Sequence, residues 1–411
     1  MEDIDIPRYF LCPISLEIMR DPVTLCTGIT YDRESIERWI FSSKNMTCPV
    51  TKQPLPDTEV TPNHTLRRLI QAWCTINAAN GIERIPTPKP PVDKTQIAKL
   101  LNEVQIPQSQ LNSLQKLKSL ISESERNKRC IESAGAATVL AAIINNSSPL
   151  IEESFDDFID SARASDEALT ILHHLQISDE ALQHLITRNS DFIGSLTRVL
   201  QKGNYQSRAY ATLLLKSIFE VVDPVHLISL KGDIFKEIVQ VLQDQISYQA
   251  TKAALQILVE LCPWGRNRVK ASEAGAVPAL VEHIIENSER RACEMALAVL
   301  DNLCACAEGR AELLNHSAGI AIVSKKILRV SNFASEKGLR ILSSIARFSA
   351  TPNVLQEMLQ VGVVYKLCLV VQGDSTVKAK DKAKEILILH SRAWKNSPCI
   401  PHHFISSYPC K

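Results

Sequence analysis

Apolar residues recur with helical spacing over most of this chain, and the pattern itself repeats. Six segments begin with a small residue, and their first positions lie 43, 43, 42, 42 and 45 residues apart. These first positions are Ala168, Ala211, Ala254, Ala296, Gly338 and Ala383. A second series, with spacings of 43, 44 and 43, consists of Gly232, Gly275, Gly319 and Gly362. Two registers that share one period predict a solenoid of stacked helical repeats.

A period near 42 residues is typical of the armadillo and HEAT classes of α-solenoid. Residues 127–144 and 267–285 each contain a short helical segment, an Ala-Gly pair and a longer helical segment, which resembles the armadillo repeat. An acidic insertion near residues 147–162 lengthens one repeat. We therefore expect about six repeats over residues 94–395, followed by an aperiodic tail at 396–411.

Residues 5–80 have a different pattern, which predicts a small α+β domain. Two β-prone segments, 23–26 and 29–31, flank Thr27-Gly28 and predict a hairpin. Asp32 is expected to cap the helix that follows. The apolar face of that helix contains Ile36, Trp39 and Ile40. A second helix, after Pro62-Asn63, has an apolar stripe of Leu66, Leu69, Ile70 and Trp73.

A linker separates this domain from the solenoid. Residues 81–93 contain four prolines between Pro86 and Pro91, a composition that favours extended polyproline geometry and excludes helix. The predicted fold is therefore mainly α, with a small α+β domain at 5–80, a semi-rigid linker at 81–93 and an α-solenoid after it.

Composition and charge exclude several classes of protein. The formal net charge of +1 argues against a broad electrostatic surface for nucleic acid. The acidic N-terminus does not resemble a signal peptide, and no apolar run reaches the length of a membrane span. The 12 cysteines follow no framework spacing, so we expect reduced thiols. A cytoplasmic protein is expected, with the nucleus as the alternative.

The spacing of the cysteines also argues against a metal centre. A zinc-bound RING domain needs closely paired ligands such as Cys-x2-Cys, and this sequence contains no such pair. The isolated candidates are Cys12, Cys26, Cys48, Cys74 and His64. The loops must then be held by hydrogen bonds and ion pairs. The residues that could supply them are Ser15, Glu17, Asp21, Asp32 and Arg33.

Four motifs in the first domain resemble the U-box, the zinc-free relative of the RING domain. They are FLCPISLEIMRDPV, TGITYDRESIERWI, TCPVTKQPL and PNHTLRRLIQAW. A U-box, a proline-rich linker and armadillo repeats in that order resemble the plant U-box ubiquitin-protein ligases. The linker sequence GIERIPTPKPP is similar to that of a stress- and defence-related branch of this family.

This resemblance implies a ligase that forms no covalent intermediate with ubiquitin and needs no cofactor. Its partners would be a ubiquitin-conjugating enzyme, ubiquitin and a protein substrate. Carried over by position, Ile14, Leu16 and Pro49 would form an apolar groove for the conjugating enzyme. Cys12 opens the first loop of that groove, and Trp39 would support it.

Lys52 occupies the position where many such ligases place a basic residue against both conjugating enzyme and donor ubiquitin. Arginine is commoner there, and lysine lacks its planar bidentate fork. The alternatives from the residues alone stay open: Ile14, Leu16 and Trp39 could be core residues, and Lys52 an ordinary solvated lysine.

The repeats would bind the substrate through the helices that line the concave face of a solenoid. The penultimate positions of the repeated eight-residue segments include His174, Ser217, Glu260, Asn302 and Ser344. Only Asn302 matches the asparagine with which armadillo proteins often hold an extended peptide. This argues against a nuclear-import type of carrier and favours a mixed polar surface for a folded or helical partner.

Two functions from different classes remain at this point. The first is a ubiquitin-protein ligase in stress or immune signalling. The second is a non-enzymatic armadillo scaffold with a vestigial U-box. A homodimer through the U-box stays open, because nothing in the sequence decides it.

Overall fold

A computed structural model of the chain describes residues 5–42, 45–85, 92–146, 155–175, 177–189 and 191–394. Contacts divide the chain into two compact units, residues 1–139 and 140–411. The first unit contains the small N-terminal domain and the first helices after the linker.

The N-terminal domain is built on a three-stranded antiparallel sheet with the order β2-β1-β3. Its strands are β1 (Pro22–Thr24), β2 (Thr30–Asp32) and β3 (Thr61–Pro62). The predicted hairpin is confirmed: Val23 pairs with Tyr31, and Gly28 takes the left-handed turn position with φ +78°. Strand β3 was not predicted, because two residues that include a proline carry no strand signal.

Helix α1 (Arg33–Glu37) follows β2 directly and continues as a π-helical turn over Arg38–Ser42. Helix α2 (His64–Ile76) begins where the Asn63 side chain accepts a hydrogen bond from Leu66 N at 3.0 Å. One core lies between these helices and the sheet. Its buried members are Phe10, Cys12, Met19, Val23, Leu25, Tyr31, Ile36, Ile40, Cys48, Leu55, Ile70 and Cys74.

Leu69 corrects the predicted stripe of α2. Ile70 is buried, and Leu66 and Trp73 pack against the core. Leu69 instead is more than half exposed, because the domain covers only a narrow arc of the helix.

Three helices complete the first unit beyond the linker: α3 (Lys94–Glu103), α4 (Pro107–Glu123) and α5 (Glu125–Ser133). Arg129 of α5 places its guanidinium carbon 3.4 Å from the ring centroid of Phe41. The same guanidinium lies 3.7 Å from Glu37, whose carboxylate is buried. Helix α5 therefore contacts the N-terminal domain through a charged and an aromatic side chain.

Helices fill the second unit. Helix α6 (Ala136–Asn146) crosses the division, and α7 (Phe155–Leu175) leads into five triads of helices. The triads are α8 (Asp179–Arg188), α9 (Phe192–Lys202) and α10 (Tyr205–Val221); α11 (Pro224–Ile228), α12 (Gly232–Asp244) and α13 (Tyr248–Leu261); α14 (Gly265–Glu273), α15 (Ala276–Glu286) and α16 (Arg290–Leu303); α17 (Ala307–Asn315), α18 (Gly319–Lys326) and α19 (Asn332–Phe348); and α20 (Pro352–Gln360), α21 (Val363–Gln372) and α22 (Val377–Leu389). A short helix, α23 (Ser391–Trp394), follows.

The small residue that starts each sequence repeat lies buried inside α7 or inside the third helix of a triad. The alanines of this series are fully buried. At Gly338 of α19 an added Cβ would lie 2.9 Å from Ile327 Cγ1. The predicted period is confirmed, and its physical reason is that neighbouring helices approach too closely there for a larger side chain.

The glycine series has two roles. Gly275 and Gly362 take left-handed φ values of +80° and +74° between the first and second helices of their triads. Gly319 starts α18 and lies against the carbonyl of Leu313, while Gly232 starts α12 without close neighbours. The common spacing therefore reflects the repeat and not one turn type.

Other predictions fall partly outside the described residues. Half of the insertion near 147–162, residues 86–91 of the linker and the tail at 396–411 lie outside the described residues. The last part of the insertion is helical, because α7 begins at Phe155. In the described part of the chain, no single helix could cross a membrane; the bent pair α20 and α21 has the required length and composition, and no more than that.

Candidate functional site

Two loops of the N-terminal domain share one backbone design. In the first, Leu16 N donates to Cys12 O at 2.8 Å, and Cys12 N donates to Glu17 O at 2.8 Å. In the second, Lys52 N donates to Cys48 O at 2.9 Å, and Cys48 N donates to Gln53 O at 2.8 Å. The aligned sequences CPISLE and CPVTKQ account for this match. The loops are therefore two copies of one hydrogen-bonded turn.

The fifth residue of each turn has an unusual backbone. Leu16 and Lys52 both have φ +59°, in the left-handed region that side-chain-bearing residues rarely adopt. The paired hydrogen bonds of each loop hold this conformation. As a result both side chains are directed to solvent, and Leu16 is 74% exposed.

The cysteine that opens each loop is buried and accepts hydrogen bonds. Cys12 Sγ accepts from Asp32 N at 3.3 Å. Cys48 Sγ accepts from Thr27 Oγ1 at 3.4 Å and from Thr51 N at 3.5 Å. The predicted contact between Cys12 and a conjugating enzyme is therefore corrected: its side chain has no exposed surface and acts from beneath the loop.

Cys48 has an acidic thiol. Burial alone would raise its pKa, but hydrogen bonds from Thr27, Thr51 and Tyr31 outweigh burial and lower the pKa to about 6. Burial and the hydrogen bond to Cys48 raise the pKa of Tyr31. The Tyr31 hydroxyl accepts from Val50 N at 3.3 Å, so its proton is free to bind Cys48 Sγ, 3.0 Å away.

Strand β2 connects the two loops, because Tyr31 bonds to the second and Asp32 to the first. Asp32 Oδ1 accepts from Arg20 N at 2.8 Å and from Asp21 N at 2.9 Å. Asp32 therefore precedes α1 but does not cap it, contrary to the prediction, since its carboxylate is used by the loop. Arg33 Nε donates to Asp21 Oδ2 at 2.6 Å, which confirms the predicted ion pairing of these two residues.

Ser15 and Glu17 contribute less than the sequence suggested. Ser15 Oγ accepts from Glu17 N at 3.4 Å, so Glu17 takes part through its backbone. Across the described residues, no group of three or more His, Cys, Asp and Glu side chains could hold a metal ion.

Trp39 lies on the π-helical turn and supports the second loop. Its Nε1 donates to Thr47 O at 2.8 Å, and Lys52 Nζ lies 5.9 Å from its ring centroid. Ile14, Trp39 and Pro49 are partly buried.

Val50 was missed by the sequence reasoning. It is 51% exposed and stands in the second loop where Ile14 stands in the first. Aligning the two loops with each other would have found it. The exposed apolar side chains of the paired loops thus include Leu16 and Val50, beside the cation of Lys52.

The five predicted substrate residues occupy one register on α7 and on the third helices of the first four triads. They are His174 on α7, Ser217 on α10, Glu260 on α13, Asn302 on α16 and Ser344 on α19. Their side chains are exposed or partly exposed. Ser344 Oγ donates to Cys304 O of the preceding repeat at 2.7 Å, and Ser217 Oγ donates to Leu213 O at 3.3 Å. These two hydroxyls are therefore already engaged within the fold.

Comparison with known proteins covers nearly the whole chain. The U-box domain model matches residues 6–79, and the model of the plant U-box protein ARM repeat region matches residues 96–410. The E3 ubiquitin-protein ligase PUB23 of Arabidopsis thaliana is 54% identical over 415 residues, which cover 100% of this chain and 98% of that protein. The E3 ubiquitin-protein ligase PUB22 of the same plant is 52% identical over 432 residues, with 99% of each chain covered.

A solved structure supports the fold. The chain resembles one from a study of the phosphorylation switch in the interaction between cadherin and beta-catenin, with a TM-score of 0.58 and 13% identity. The match covers 86% of this chain and 60% of that chain. At this identity it shows an armadillo-like fold and nothing further.

Proposed function

Because the chain belongs to the plant U-box ubiquitin-protein ligases with armadillo repeats, we propose that its paired loops hold the charged conjugating enzyme. Ligases of this type transfer ubiquitin without a covalent intermediate of their own. The observation that carries the proposal is the exposed apolar pair Leu16 and Val50, presented on two matched turns beside Lys52.

The chemistry takes place on the conjugating enzyme. A lysine amine of the substrate attacks the thioester carbonyl, an isopeptide bond forms, and the thiolate of the conjugating enzyme leaves. The ligase contributes proximity and orientation. Leu16, Val50 and the partly buried Ile14 and Pro49 supply apolar contact. Lys52 donates hydrogen bonds to carbonyl groups of the conjugating enzyme or the donor ubiquitin, while Trp39 supports its loop.

Discharge of a preformed conjugating enzyme–ubiquitin thioester onto free lysine tests the assignment of the loops. We expect Leu16→Ala and Val50→Ala each to slow discharge by about tenfold, a loss of about 1.4 kcal/mol. Val225→Ala, which truncates an exposed valine on α11, is the matched control. Equal rates for the control and the loop variants would overturn the assignment.

A non-enzymatic scaffold remains the alternative function. Failure of the wild-type chain to discharge every member of a panel of charged conjugating enzymes would favour it. The intact apolar side chains of both loops support the ligase instead.

The setting is also a proposal. We propose that the ligase acts in stress or immune signalling, in the cytoplasm or the nucleus. The support is the linker sequence at 81–91, which resembles the stress- and defence-related branch of the family. A fluorescent fusion in plant cells tests the location. Measurement of immune responses in plants that lack the gene tests the proposed role in signalling.

Self-association through the U-box is a further part of the proposal. Its support is that Leu69 and Ile76, seven positions apart on α2, are both exposed and lie on one side of that helix. Light scattering of the wild-type chain and of Leu69→Asp/Ile76→Asp tests it. Equal masses for the two proteins would show that Leu69 and Ile76 do not form a dimer interface.

A further inference from the structure

The third helices of the last repeats carry an unusual concentration of positive charge. Phe333, Lys337, Arg340 and Ser344 follow one another along one face of α19 at helical spacing. Lys378, Lys382 and Glu385 occupy the same register on α22, 45 positions later. Because α19 packs against both α16 and α22, these side chains belong to one continuous surface.

Two carboxylates each pair with two of the cations on this surface. Asp301 of α16 accepts from Lys337 Nζ at 2.9 Å and from Arg340 Nε at 3.1 Å. Glu385 accepts from Lys382 Nζ at 2.9 Å and pairs with Arg347. Four cations thus share two carboxylates, so this group of six side chains carries an excess of positive charge.

Arg340 is much more exposed than the acid that it pairs with. The Asp301 side chain is only 5% exposed, whereas that of Arg340 is 60% exposed. Burial lowers the pKa of Lys382, and the positive charges of Arg347 and Arg340 lower it further. A negatively charged partner would relieve this repulsion.

The charge is local to these repeats. The equivalent positions on α10, three repeats earlier, are Gln206, Tyr210, Leu213 and Ser217, and none of them is charged. The whole chain has a formal net charge of only +1. The excess on α19 and α22 is therefore not a consequence of general composition.

Two exposed aromatic side chains lie at the ends of α19. Lys337 Nζ is 5.5 Å from the ring centroid of Phe333, and Arg310 Cζ is 5.1 Å from that of Phe348. The two phenylalanines are separated by about 22 Å of helix. The surface thus combines central cations with apolar positions at both ends, and exposed phenylalanines are common at protein-binding surfaces.

We propose that Lys337, Arg340, Arg347 and Lys382, with Phe333 and Phe348, bind a segment of the substrate that is rich in Asp and Glu and carries apolar residues. Arginine forks bind carboxylates in pairs, and apolar side chains of the segment cover the phenylalanines. This assignment rests on the proposed function of the repeats as the substrate-binding part of the ligase. It specifies the chemistry of the substrate.

Fluorescence anisotropy with the full chain tests the inference. The probe is a fluorescein-labelled synthetic peptide of Asp-Glu pairs alternating with Leu; its control replaces Asp and Glu by Asn and Gln. We expect the acidic peptide alone to bind, with an affinity that falls as salt rises. Arg340→Glu/Lys382→Glu should weaken binding by at least about tenfold. Equal binding of both peptides would overturn the inference.

Two further variants separate charge from folding. Arg347→Gln/Lys382→Gln removes the two cations that pair with the partly exposed Glu385 and leaves the buried Asp301 paired with Lys337 and Arg340. We expect binding about threefold to tenfold weaker at a nearly unchanged melting temperature. Lys236→Glu on α12 reverses an exposed charge elsewhere and should leave binding unchanged. An equal loss in the Lys236 variant would refute the assigned surface. If single-stranded DNA binds more tightly than the acidic peptide, and the same variants lose this binding, the ligand of the surface is a nucleic acid and not a protein segment.

Thioester discharge onto free lysine distinguishes this inference from the proposed function. Discharge depends on the U-box loops and should be equal in the wild-type chain and the variants of α19 and α22. Intact discharge without peptide binding contradicts only the substrate assignment. Absent discharge in the wild-type chain contradicts the ligase function itself.

Discussion

Lys52 has a backbone that an L-residue adopts at a cost of about 1–2 kcal/mol, since its φ is +59°. The hydrogen bond from Lys52 N to Cys48 O closes the turn and offsets this cost. The Lys52 side chain is left facing solvent. Leu16 is held in the same way in the first loop. At the scale of single residues, the site is therefore formed by strained positions whose side chains contribute little to folding.

Substitution of Lys52 by glycine separates strain from charge. Lys52→Gly relieves the left-handed strain and should leave the melting temperature unchanged or higher, while Lys52→Ala keeps the strain. Both remove the cation, so both should slow thioester discharge by about tenfold with a smaller effect on conjugating-enzyme binding. Calorimetry and single-turnover discharge are the measurements. Equal losses in binding and discharge would contradict the positioning role of Lys52.

The acidic thiol of Cys48 predicts a pH-dependent stability. Its pKa is about 6 in the folded chain, against an ordinary value of 9.0. Between these values the unfolded chain holds a proton that the folded chain has released. Stability should therefore be fully present above about pH 9 and be lost as the pH falls toward 6, with a slope of at most about 1.4 kcal/mol per pH unit.

Denaturant unfolding at a series of pH values measures this slope. Cys48→Ser should flatten it, because the hydroxyl does not ionise in this range. Cys26→Ser, which replaces an exposed thiol of the same domain, is the control. Parallel curves for the wild-type chain and the Cys48 variant would show that the thiol does not ionise on folding.

The element scale is where sequence reasoning was most successful. The period of buried small residues and the face of each third helix follow from spacing alone, since both depend on local helix geometry. The starts of α10, α13, α19 and α22 follow from capping: Asn204, Ser247, Ser331 and Thr376 each accept a hydrogen bond from the amide three residues on. Leu69 and Asp32 were misjudged because their environment is set by tertiary contacts.

Packing at Gly338 gives a prediction for the repeat. Gly338→Val would place a side chain against Ile327 Cγ1, 2.9 Å from the added Cβ, and should destabilise the chain by about 1–3 kcal/mol. Gly232→Ala is the matched control, because nothing lies within 4 Å of its added Cβ. The denaturant midpoint of the full chain is the measurement. Equal midpoints would mean that the third helices can separate without cost.

Over the whole molecule, the sequence predicts the order of the parts but not every contact between them. The U-box, linker and repeats follow from composition and motifs. The contact of Arg129 with Glu37 and Phe41 could not be predicted, since it joins residues on opposite sides of the linker. Val50 could be predicted from the sequence, because the internal match between CPISLE and CPVTKQ aligns it with Ile14. The resemblance to the family alone did not identify it.

The Arg129 contact predicts coupling within the first unit. Glu37 is buried and shared by Arg33 and Arg129, so removing Arg129 leaves its charge poorly compensated. Arg129→Met should cost about 1–3 kcal/mol, while Glu37→Gln/Arg129→Met should cost less than the sum of the single changes. Unfolding free energies of the four proteins in this cycle are the measurement. Strict additivity would show that the two side chains do not interact.

The closure of both loops through backbone amides has a consequence for how such ligases diverge. The bonds that fix the turns do not involve the side chains of Leu16 and Lys52, which face solvent. Natural selection can exchange these two side chains while the fold stays intact. Gene duplicates that keep the same architecture can therefore evolve different preferences among conjugating enzymes by changing very few codons.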